Sequence, residues 1–360
     1  MMKLGSFMMP VHPPEKSRTQ CFDEDVELAV RADKLGLSEF WCGQHHTLGW
    51  EPIPANDVFL SNLIGRTQNI KLCTGVSIIP QHHPVNIAVR LALLDHLSHG
   101  RIMCGFGQGG VPTDWELFDL PDAKTQGLMT VEGIDMVTKL WATEAPFDFK
   151  GQFWHIKILN NDPVMASGVL LKPFQKPHPP IAMSVVRGGS MAARMAGQRG
   201  YIPISSNLVP IETVATHWDT YSAGAEEVGL PQPDRSIWRI SRSILIGESN
   251  NAAWDHALNG TLGRTFEYLL QLMTQTNMLP MIKGNQQNVP DSDVNTEFMM
   301  RKLCIIGDKH EVKRQLESAW ETTGGFGNLL MIAHDWDDKE KWTRTMEVLA
   351  NEIVPALPTI

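Results

Sequence analysis

The segment Leu94–Gly109 constrains the fold more than any other part of the chain. Its first residues have the pattern of a helix end, Gly100 marks a tight turn, and Ile102–Phe106 is apolar enough for a buried strand. A glycine-rich loop follows at once. A helix that passes into a strand without spare residues is typical of one βα unit leading to the next in a parallel barrel.

Short apolar runs alternate with amphipathic stretches along the rest of the chain, which is the pattern of repeated βα units. The predicted strands are Leu4–Met9, Glu39–Gly43, Ile70–Val76, Ile102–Phe106, Ile181–Val186, Tyr201–Ser205, Trp238–Ile246, Leu303–Ile306 and Asn328–Ala333. This number of runs is close to the eight strands of a closed parallel barrel, so we predict an α/β fold, an eight-stranded (β/α)8 TIM barrel, with residues 1–360 as one domain. We expect a hairpin-and-loop insertion over 145–180, after the fourth βα unit, and a long polar loop over 279–294 before the eighth strand as a candidate lid.

Composition excludes several functional classes. The net charge is −9 and the Lys and Arg residues are scattered, which argues against a nucleic-acid or anionic-membrane surface. The five cysteines are odd in number and widely spaced, as in a reducing compartment. No apolar run approaches the roughly 20 residues that cross a bilayer, and the first residues lack a signal-peptide cleavage site. We expect a cytoplasmic protein without nucleic-acid or membrane partners.

Two glycine-containing loops are candidate ligand sites. Gly105–Gly110 matches the dinucleotide pattern G-x-G-x-x-G, but that pattern needs a helix to begin within the glycines, whereas Val111–Asp114 is predicted as irregular loop. Close approach of the backbone to a flat or phosphorylated ligand explains the glycines better. The run Arg187-Gly188-Gly189-Ser190 precedes a helix and suits a phosphate, although an ordinary serine N-cap is the alternative.

Two adjacent histidine pairs, His45-His46 and His82-His83, raise the question of a metal site. Neighbouring residues of an extended chain point to opposite sides, and the sequence has neither H-E-x-x-H nor C-x-x-C, so we predict no metal. One histidine after the second strand is instead a candidate proton donor or general acid/base.

Apolar and aromatic residues cluster at the same loop ends, and most such residues belong to the core of a barrel. Trp50 lies in a predicted loop without a strand or helix, so it is a candidate wall of a substrate pocket. Met8 and Phe106 are further candidates for this pocket.

A series of short motifs runs along nearly the whole chain. In order, they are Gly5-Ser6-Phe7-Met8, Trp41-x-x-Gln44-His45-His46, Thr74-Gly75-Val76, His83-Pro84, Leu94-Asp95-x-Leu97-Ser98-x-Gly100-Arg101 and Gly307-Asp308-x-x-x-Val312. Together they resemble the bacterial luciferase-like, flavin-dependent monooxygenases. Within that family, the His46–Pro54 loop and Asp335 are most similar to the terpenoid-oxidising diketocamphane and limonene monooxygenases.

The resemblance implies a two-component monooxygenase. Such an enzyme takes reduced FMN from a separate flavin reductase and reacts it with O₂ to form a C4a-hydroperoxyflavin. It then oxygenates a small apolar substrate. The expected substrate here is a cyclic terpenoid ketone, which would undergo a Baeyer-Villiger reaction, or a cyclic terpenoid alkene. FAD is the alternative cofactor, and the family resemblance also implies a homodimer.

The resemblance also assigns roles by position. His45 matches the family's catalytic histidine. Thr74, Gly75 and Val76 match the stretch against the isoalloxazine ring, where the family often has a non-prolyl cis peptide. Gln108 stands where luciferases place a phosphate-binding arginine.

The positions that hold the phosphate in the family correspond to Gly189 and Ser190 in this chain. Their neighbours Arg187 and Gly188 complete the candidate phosphate loop, and Arg187 is a candidate replacement for the arginine that the luciferases have at the position of Gln108.

A second departure from the family is Gln44 in place of a glutamate, which removes a carboxylate that would raise the pKa of the neighbouring histidine. Two alternatives stay open. One is a deazaflavin-dependent oxidoreductase on the same barrel, which transfers hydride without O₂. The other is a non-catalytic flavin-binding subunit.

Overall fold

The structure, a computed structural model, describes residues 2–9 and 11–360. The first four βα units contain β1 (Lys3–Met8), α1 (Arg18–Lys34), β2 (Glu39–Cys42), α2 (Asn56–Ile64), β3 (Lys71–Ile78), α3 (Pro84–Leu97), β4 (Ile102–Gly107), α4 (Pro112–Leu117) and α5 (Ala123–Ala142). The predicted insertion contains an antiparallel hairpin of β5 (Phe147–Lys150) and β6 (His155–Ile158).

The second half of the chain continues the βα pattern. Its elements are β7 (Ile181–Val185), α6 (Met191–Arg199), β8 (Ile202–Ser205), α7 (Ile211–Glu227), β9 (Arg239–Ile246), α8 (Asn250–Asn259), α9 (Thr261–Gln275), α10 (Leu279–Lys283), α11 (Thr296–Leu303), β10 (Cys304–Gly307), α12 (Lys309–Thr323), β11 (Asn328–Ile332) and α13 (Lys339–Val348).

Eight parallel strands close into a barrel in the order β1-β2-β3-β4-β7-β8-β9-β11, with β11 pairing back to β1. β10 is an additional parallel strand that pairs with the last half of β9. The predicted (β/α)8 barrel is therefore confirmed. The region between the seventh and eighth barrel strands is long, as expected, but it is largely helical.

Local differences from the predictions have identifiable causes. The prediction of irregular loop at Val111–Asp114 was wrong, because Pro112 begins the short helix α4 and Asp114 lies in its first turn. Within the predicted 279–294 loop, Leu279 and Ile282 are buried three residues apart, and this spacing allows the short helix α10 to pack one face on the core.

The motif at the end of α3 has a structural role. The buried Asp95 carboxylate accepts hydrogen bonds from the backbone N–H and the side-chain amide of Gln175, at 2.8 and 2.7 Å. The Arg101 guanidinium donates to the Ile64 carbonyl and the Thr67 hydroxyl, each at 2.8 Å. Fully paired buried polar groups favour one arrangement of their elements. The motif thus fastens the insertion to α3 and the end of α2 to the start of β4.

The barrel interior is a packed core. Its side chains alternate with those that face the helices, and the buried interior cluster is Trp41, Cys73, Met103, Ala182, Ile204 and Leu330, with Phe7 packed against it. At Gly105 a Cβ atom would lie only 2.1 Å from the Thr74 carbonyl oxygen, so the contact between β3 and β4 requires glycine there. Because the interior is filled, a ligand site belongs on the loops that follow the strands.

Among the described residues, no helix combines the length and the apolar character needed to cross a membrane. All five cysteines are buried free thiols.

Candidate active site

His45 lies in the loop after β2, between two carboxylates. Its Nε2 is 3.3 Å from Oε2 of Glu51, and its Nδ1 is 3.4 Å from Oδ2 of Asp114. The His45 side chain is 16% exposed, whereas those of Glu51 and Asp114 are 5% and 2% exposed. Glu51 comes from the same loop and Asp114 from α4, so two βα loops contribute to one charged cluster.

The two carboxylates determine the protonation state of His45. Burial by itself lowers the pKa of His45, but the negative charges of Glu51 and Asp114 outweigh burial and raise it above the ordinary value. Burial would likewise raise the pKa of Asp114, but its contacts with His45 and Thr47 and the His46 N–H lower it to about 2. The cluster therefore favours the imidazolium form of His45 next to an ionised Asp114.

Gln44 has a different role from the glutamate that it replaces. Its Oε1 accepts a hydrogen bond from the Asn56 backbone N–H at 3.3 Å, and the Asn56 amide donates to the carbonyls of Cys42 and Val76, both at 3.1 Å. The carboxylates beside His45 come from Glu51 and Asp114 and not from position 44. The Gln44–Asn56 pair instead ties the loop after β2 to β3.

The Gly75–Val76 peptide bond is cis, as the family resemblance implied for this position. Gly75 faces the interior, where its Cβ position lies 3.0 Å from the Phe7 ring. Thr74 is fully buried, and its hydroxyl both donates to the Gly105 carbonyl and accepts from the Gly105 N–H, each at 3.0 Å. The Thr74 side chain therefore holds β3 against β4, and only the half-buried Val76 offers a partly accessible side chain.

Trp50 forms one wall of the barrel mouth together with α9. Its ring stacks on Tyr268 with centroids 5.2 Å apart and an interplanar angle of 15°. The Arg264 guanidinium lies 5.6 Å from the Trp50 ring centroid, and the Tyr268 hydroxyl donates to Oε1 of Glu51 at 3.1 Å. The aromatic wall and the His45 cluster are thus directly connected.

The other two predicted pocket residues lie elsewhere. Met8 is 1% exposed and Phe106 is fully buried, and both belong to the core between the barrel and its helices. Strand alternation explains this placement, because the adjacent Phe7 and Gly105 point into the barrel. Met8 and Phe106 are packing residues in this structure.

The candidate phosphate loop lies beside the connection between α9 and α10. Arg187 and Gly188 line one side of a cleft of about 390 Å³, and Asn277, Met278 and Gly284 are among the residues on the other side. The loop and the predicted lid segment therefore share one cleft.

The remaining phosphate candidates are less free to bind a ligand through their side chains. Gly189 has a φ of +64°, in the left-handed region that glycine favours. The Ser190 hydroxyl accepts from the Ala193 N–H at 3.2 Å as the N-cap of α6. Gln108 donates through its amide to the Ala123 carbonyl at 2.7 Å, which ties it to the start of α5.

Neither histidine pair forms a cluster of metal ligands. His83 accepts from the Val85 N–H at the start of α3, and His46 packs edge-on against Phe118. Within residues 2–9 and 11–360, the one group of side chains with metal-ligand spacing is His12, Glu24 and Asp335. The Lys16 ammonium already binds both carboxylates of that group, at 2.5 and 2.7 Å.

Sequence analysis missed Glu51, Asp114 and Tyr268. Asp114 was assigned to an irregular loop, although the preceding proline is a helix-start signal. Tyr268 lies on α9 (Thr261–Gln275), a helix that is not among the predicted elements. Its apolar and polar residues recur with helical spacing, and that pattern is the signal that could have found it.

Comparison with known proteins agrees with this architecture. Residues 2–325 match the family described as luciferase-like monooxygenase. The chain is 30% identical to 4-hydroxyprotoasukamycin monooxygenase of Streptomyces nodosus subsp. asukaensis, over 98% of this chain and 91% of that one. It is 28% identical to 2,5-diketocamphane 1,2-monooxygenase 1 of Pseudomonas putida, over 98% and 99% of the two chains.

A solved structure shows the same overall shape. It is the oxygenating constituent of 3,6-diketocamphane monooxygenase from Pseudomonas putida, a type II Baeyer-Villiger monooxygenase in complex with FMN. The two chains share 26% identity with a TM-score of 0.90, and the match covers 99% of each. The chain therefore belongs to the luciferase-like monooxygenase family.

Proposed function

We propose that this protein is the oxygenase component of a two-component monooxygenase that uses reduced FMN and O₂ to oxygenate a small apolar substrate. The expected substrate class is a cyclic terpenoid ketone or alkene, since the similar Pseudomonas proteins carry diketocamphane in their names. The observation that carries the proposal is the partly buried His45 between the buried carboxylates of Glu51 and Asp114, beside an aromatic wall.

The residues at the barrel mouth fit FMN. Arg187 is an exposed cation next to two glycines at the start of α6, and the backbone N–H groups of a helix start favour a phosphate. The half-buried Val76 offers an apolar side chain at the end of β3, which suits a flat ring. In this proposal Thr74 contributes to FMN binding only through its backbone, and Gln108 lies at the edge of the barrel mouth. Reduced FMN supplies the electrons that activate O₂.

His45 is the proposed catalytic residue. As an imidazolium it carries a positive charge in a side chain that is only 16% exposed, and its two ring nitrogens face the carboxylates of Glu51 and Asp114. A cation in such surroundings stabilises negative charge that develops on a reacting oxygen more strongly than it would in water. Trp50 and Tyr268 exclude water from the same side of the mouth and offer apolar surface to the substrate.

The proposal extends to partners and organisation. We propose a separate flavin reductase as the source of reduced FMN, a cytoplasmic location, and action of residues 1–360 as one domain. We also propose a homodimer, because α3 exposes Leu93 and Leu97 one turn apart, 49% and 53% accessible, and the half-exposed Phe174 packs against His96 of the same helix. Sedimentation at twice the chain mass of 40.2 kDa is expected, and a monomer would contradict the dimer.

Oxygen-isotope incorporation tests the proposed activity. The protein is mixed anaerobically with reduced FMN and a cyclic ketone or alkene, and ¹⁸O₂ is then admitted with catalase present to remove free hydrogen peroxide. One ¹⁸O atom is expected in a lactone from the ketone or an epoxide from the alkene. Reduced FMN without protein is the control. Absence of labelled product, together with oxidation of a reduced deazaflavin without O₂, would favour the deazaflavin alternative.

Arg187→Ala is expected to weaken FMN binding by about tenfold, because a charge-assisted contact to the phosphate is lost. The check is an anaerobic titration of the protein with reduced FMN. Arg194→Ala is the matched control, since Arg194 is an arginine of α6 whose guanidinium pairs with Glu227. Equal FMN affinity of both variants and the wild type would remove Arg187 from the proposed phosphate site.

A further inference from the structure

Tyr268, Glu51 and His45 form a continuous chain of contacts. The Tyr268 hydroxyl donates to Oε1 of Glu51 at 3.1 Å, and Oε2 of Glu51 lies 3.3 Å from Nε2 of His45. Burial and the charge of Glu51 raise the pKa of Tyr268, so its hydroxyl keeps the proton that it donates. Each oxygen of the buried Glu51 carboxylate therefore has its own partner.

These contacts favour a His45 ring that carries two protons. A neutral imidazole has one N–H and one lone pair, and with Asp114 on the Nδ1 side a lone pair would face one of the two carboxylates. The imidazolium has no lone pair and places its positive charge 3.3 and 3.4 Å from the two carboxylates. The other titratable group against this cluster is His46, whose pKa is lowered by burial. A neutral His46 does not compete for the two carboxylates.

We propose that Glu51 and Tyr268 are positioning residues for His45: Glu51 holds the imidazolium by Nε2, while Tyr268 holds Glu51 and links it to the pocket wall at Trp50. The proposal rests on the function proposed above, in which His45 is the catalytic histidine. It adds two residues, from the loop after β2 and from α9, to the machinery of that site.

Tyr268 has two contacts that couple the substrate pocket to His45. Its ring stacks on Trp50, and its hydroxyl binds Glu51. A substrate that packs against Trp50 therefore touches the same aromatic pair that orients the carboxylate. Trp50 and Glu51 are also adjacent in the chain, so a shift of the Trp50 backbone moves Glu51 with it. Filling of the pocket and orientation of His45 are thus joined through one side chain.

The first test follows the His45 ring by NMR titration of the flavin-free protein. Glu51→Gln keeps the size of the side chain and an acceptor for Tyr268 but removes the negative charge. The midpoint of His45 is expected to move to lower pH, because the imidazolium loses one of its two counter-charges. Glu116→Gln is the matched control, since it removes an exposed carboxylate from α4, which also carries Asp114. This control is expected to leave the midpoint unchanged.

The second test uses steady-state oxygenation across pH. In Glu51→Gln, kcat is expected to fall by about tenfold or more, and the decline of activity at alkaline pH is expected to begin at lower pH. Tyr268→Phe keeps the ring stacked on Trp50 but leaves Glu51 without its donor, so kcat is expected to fall about tenfold with little change in KM. Tyr201→Phe is the matched control, because Tyr201 lies over Arg199, at the junction of α6 and β8.

The outcomes separate positioning from a purely structural role. Thermal unfolding shows whether each variant is folded, and loss of stability alone would leave the His45 midpoint and the pH profile of folded protein unchanged. An unchanged midpoint in folded Glu51→Gln, or wild-type kcat in Tyr268→Phe, overturns the proposal. If Glu51→Gln does not fold, Glu51→Asp serves instead, since it keeps the charge but withdraws it by one methylene, and an unchanged midpoint again overturns the proposal.

The two proposals can fail separately. The titration requires neither flavin nor turnover, so a shifted midpoint in a protein that never incorporates ¹⁸O supports the positioning roles and contradicts the monooxygenase. Labelled product together with an unshifted midpoint supports the monooxygenase and contradicts the positioning roles.

Discussion

His45→Ala is expected to lower kcat for oxygenation by about 10²- to 10⁴-fold, the range that a positioned acid or base contributes. Among residues 2–9 and 11–360, His45 is the one cation that contacts Glu51 and Asp114, and the other partners of these carboxylates are hydroxyl and backbone N–H groups. Removal of the imidazole therefore takes away the positive charge of the cluster together with its protons. The measurement is the rate of labelled product at saturating reduced FMN.

The control for this substitution is His310→Ala, which removes an exposed histidine at the start of α12. It is expected to have the wild-type rate. Because His45→Ala leaves two buried carboxylates near each other, its thermal unfolding has to be compared with that of the wild type before the rates are interpreted. A folded His45→Ala protein that keeps more than about half of the wild-type rate would eliminate His45 as the catalytic residue.

Raising the pH above 9 is expected to remove about 3 kcal/mol of folding stability through His12. This histidine is 3% exposed and lies between Asp335, at 2.6 Å, and Asp25, at 3.1 Å. Burial lowers the pKa of His12, but the bonds and charges of Asp25 and Asp335 outweigh it and raise the pKa from 6.5 to about 9. Because the pKa is higher in the folded state, the stabilisation is complete below about pH 6.5 and is lost as the pH rises through about 9.

Urea unfolding at a series of pH values between 6 and 10 measures this effect, with His12→Gln as the comparison. The variant is expected to be less stable by about 3–5 kcal/mol at pH 6, since two buried carboxylates lose their imidazolium, and to show a flatter dependence on pH. A wild-type curve that parallels the variant curve would show that His12 is not the titrating group. The His310→Ala protein again provides the control for loss of an exposed histidine.

The His12 cluster also bears on the candidate site. The His12 backbone N–H donates to the Trp50 carbonyl at 2.8 Å, and the Asp335 carbonyl accepts from the Thr261 hydroxyl, at the start of α9, at 3.1 Å. The cluster therefore fastens the loop after β1 to both sides of the aromatic wall, Trp50 and α9. Loss of the His12 charge at alkaline pH is therefore expected to loosen the mouth of the barrel before the closed sheet unfolds.

Local patterns in the sequence were sufficient for the barrel. Apolar runs, Pro84 at the start of α3 and Gly100 in the turn after it are signals that act over a few residues, and the strands predicted from them were confirmed within a few residues at each end. The family motifs additionally predicted the cis peptide at Gly75–Val76 and the loop histidine at position 45. The sequence does not determine whether Met8 and Phe106 face a pocket. Side chains of a strand alternate between the two faces of the sheet, and the sequence does not show which set points into the barrel.

By itself, the sequence determined the fold class, the family and the position of His45 after the second strand, because these depend on local periodicity and on the order of motifs. Only the tertiary structure decided the chemical state of His45. Its counter-charges come from the same loop at Glu51 and from a different helix at Asp114, and the donor that holds Glu51 comes from Tyr268, late in the chain. A pKa is set by distances of a few ångströms, which the closed barrel establishes among residues that no local pattern connects.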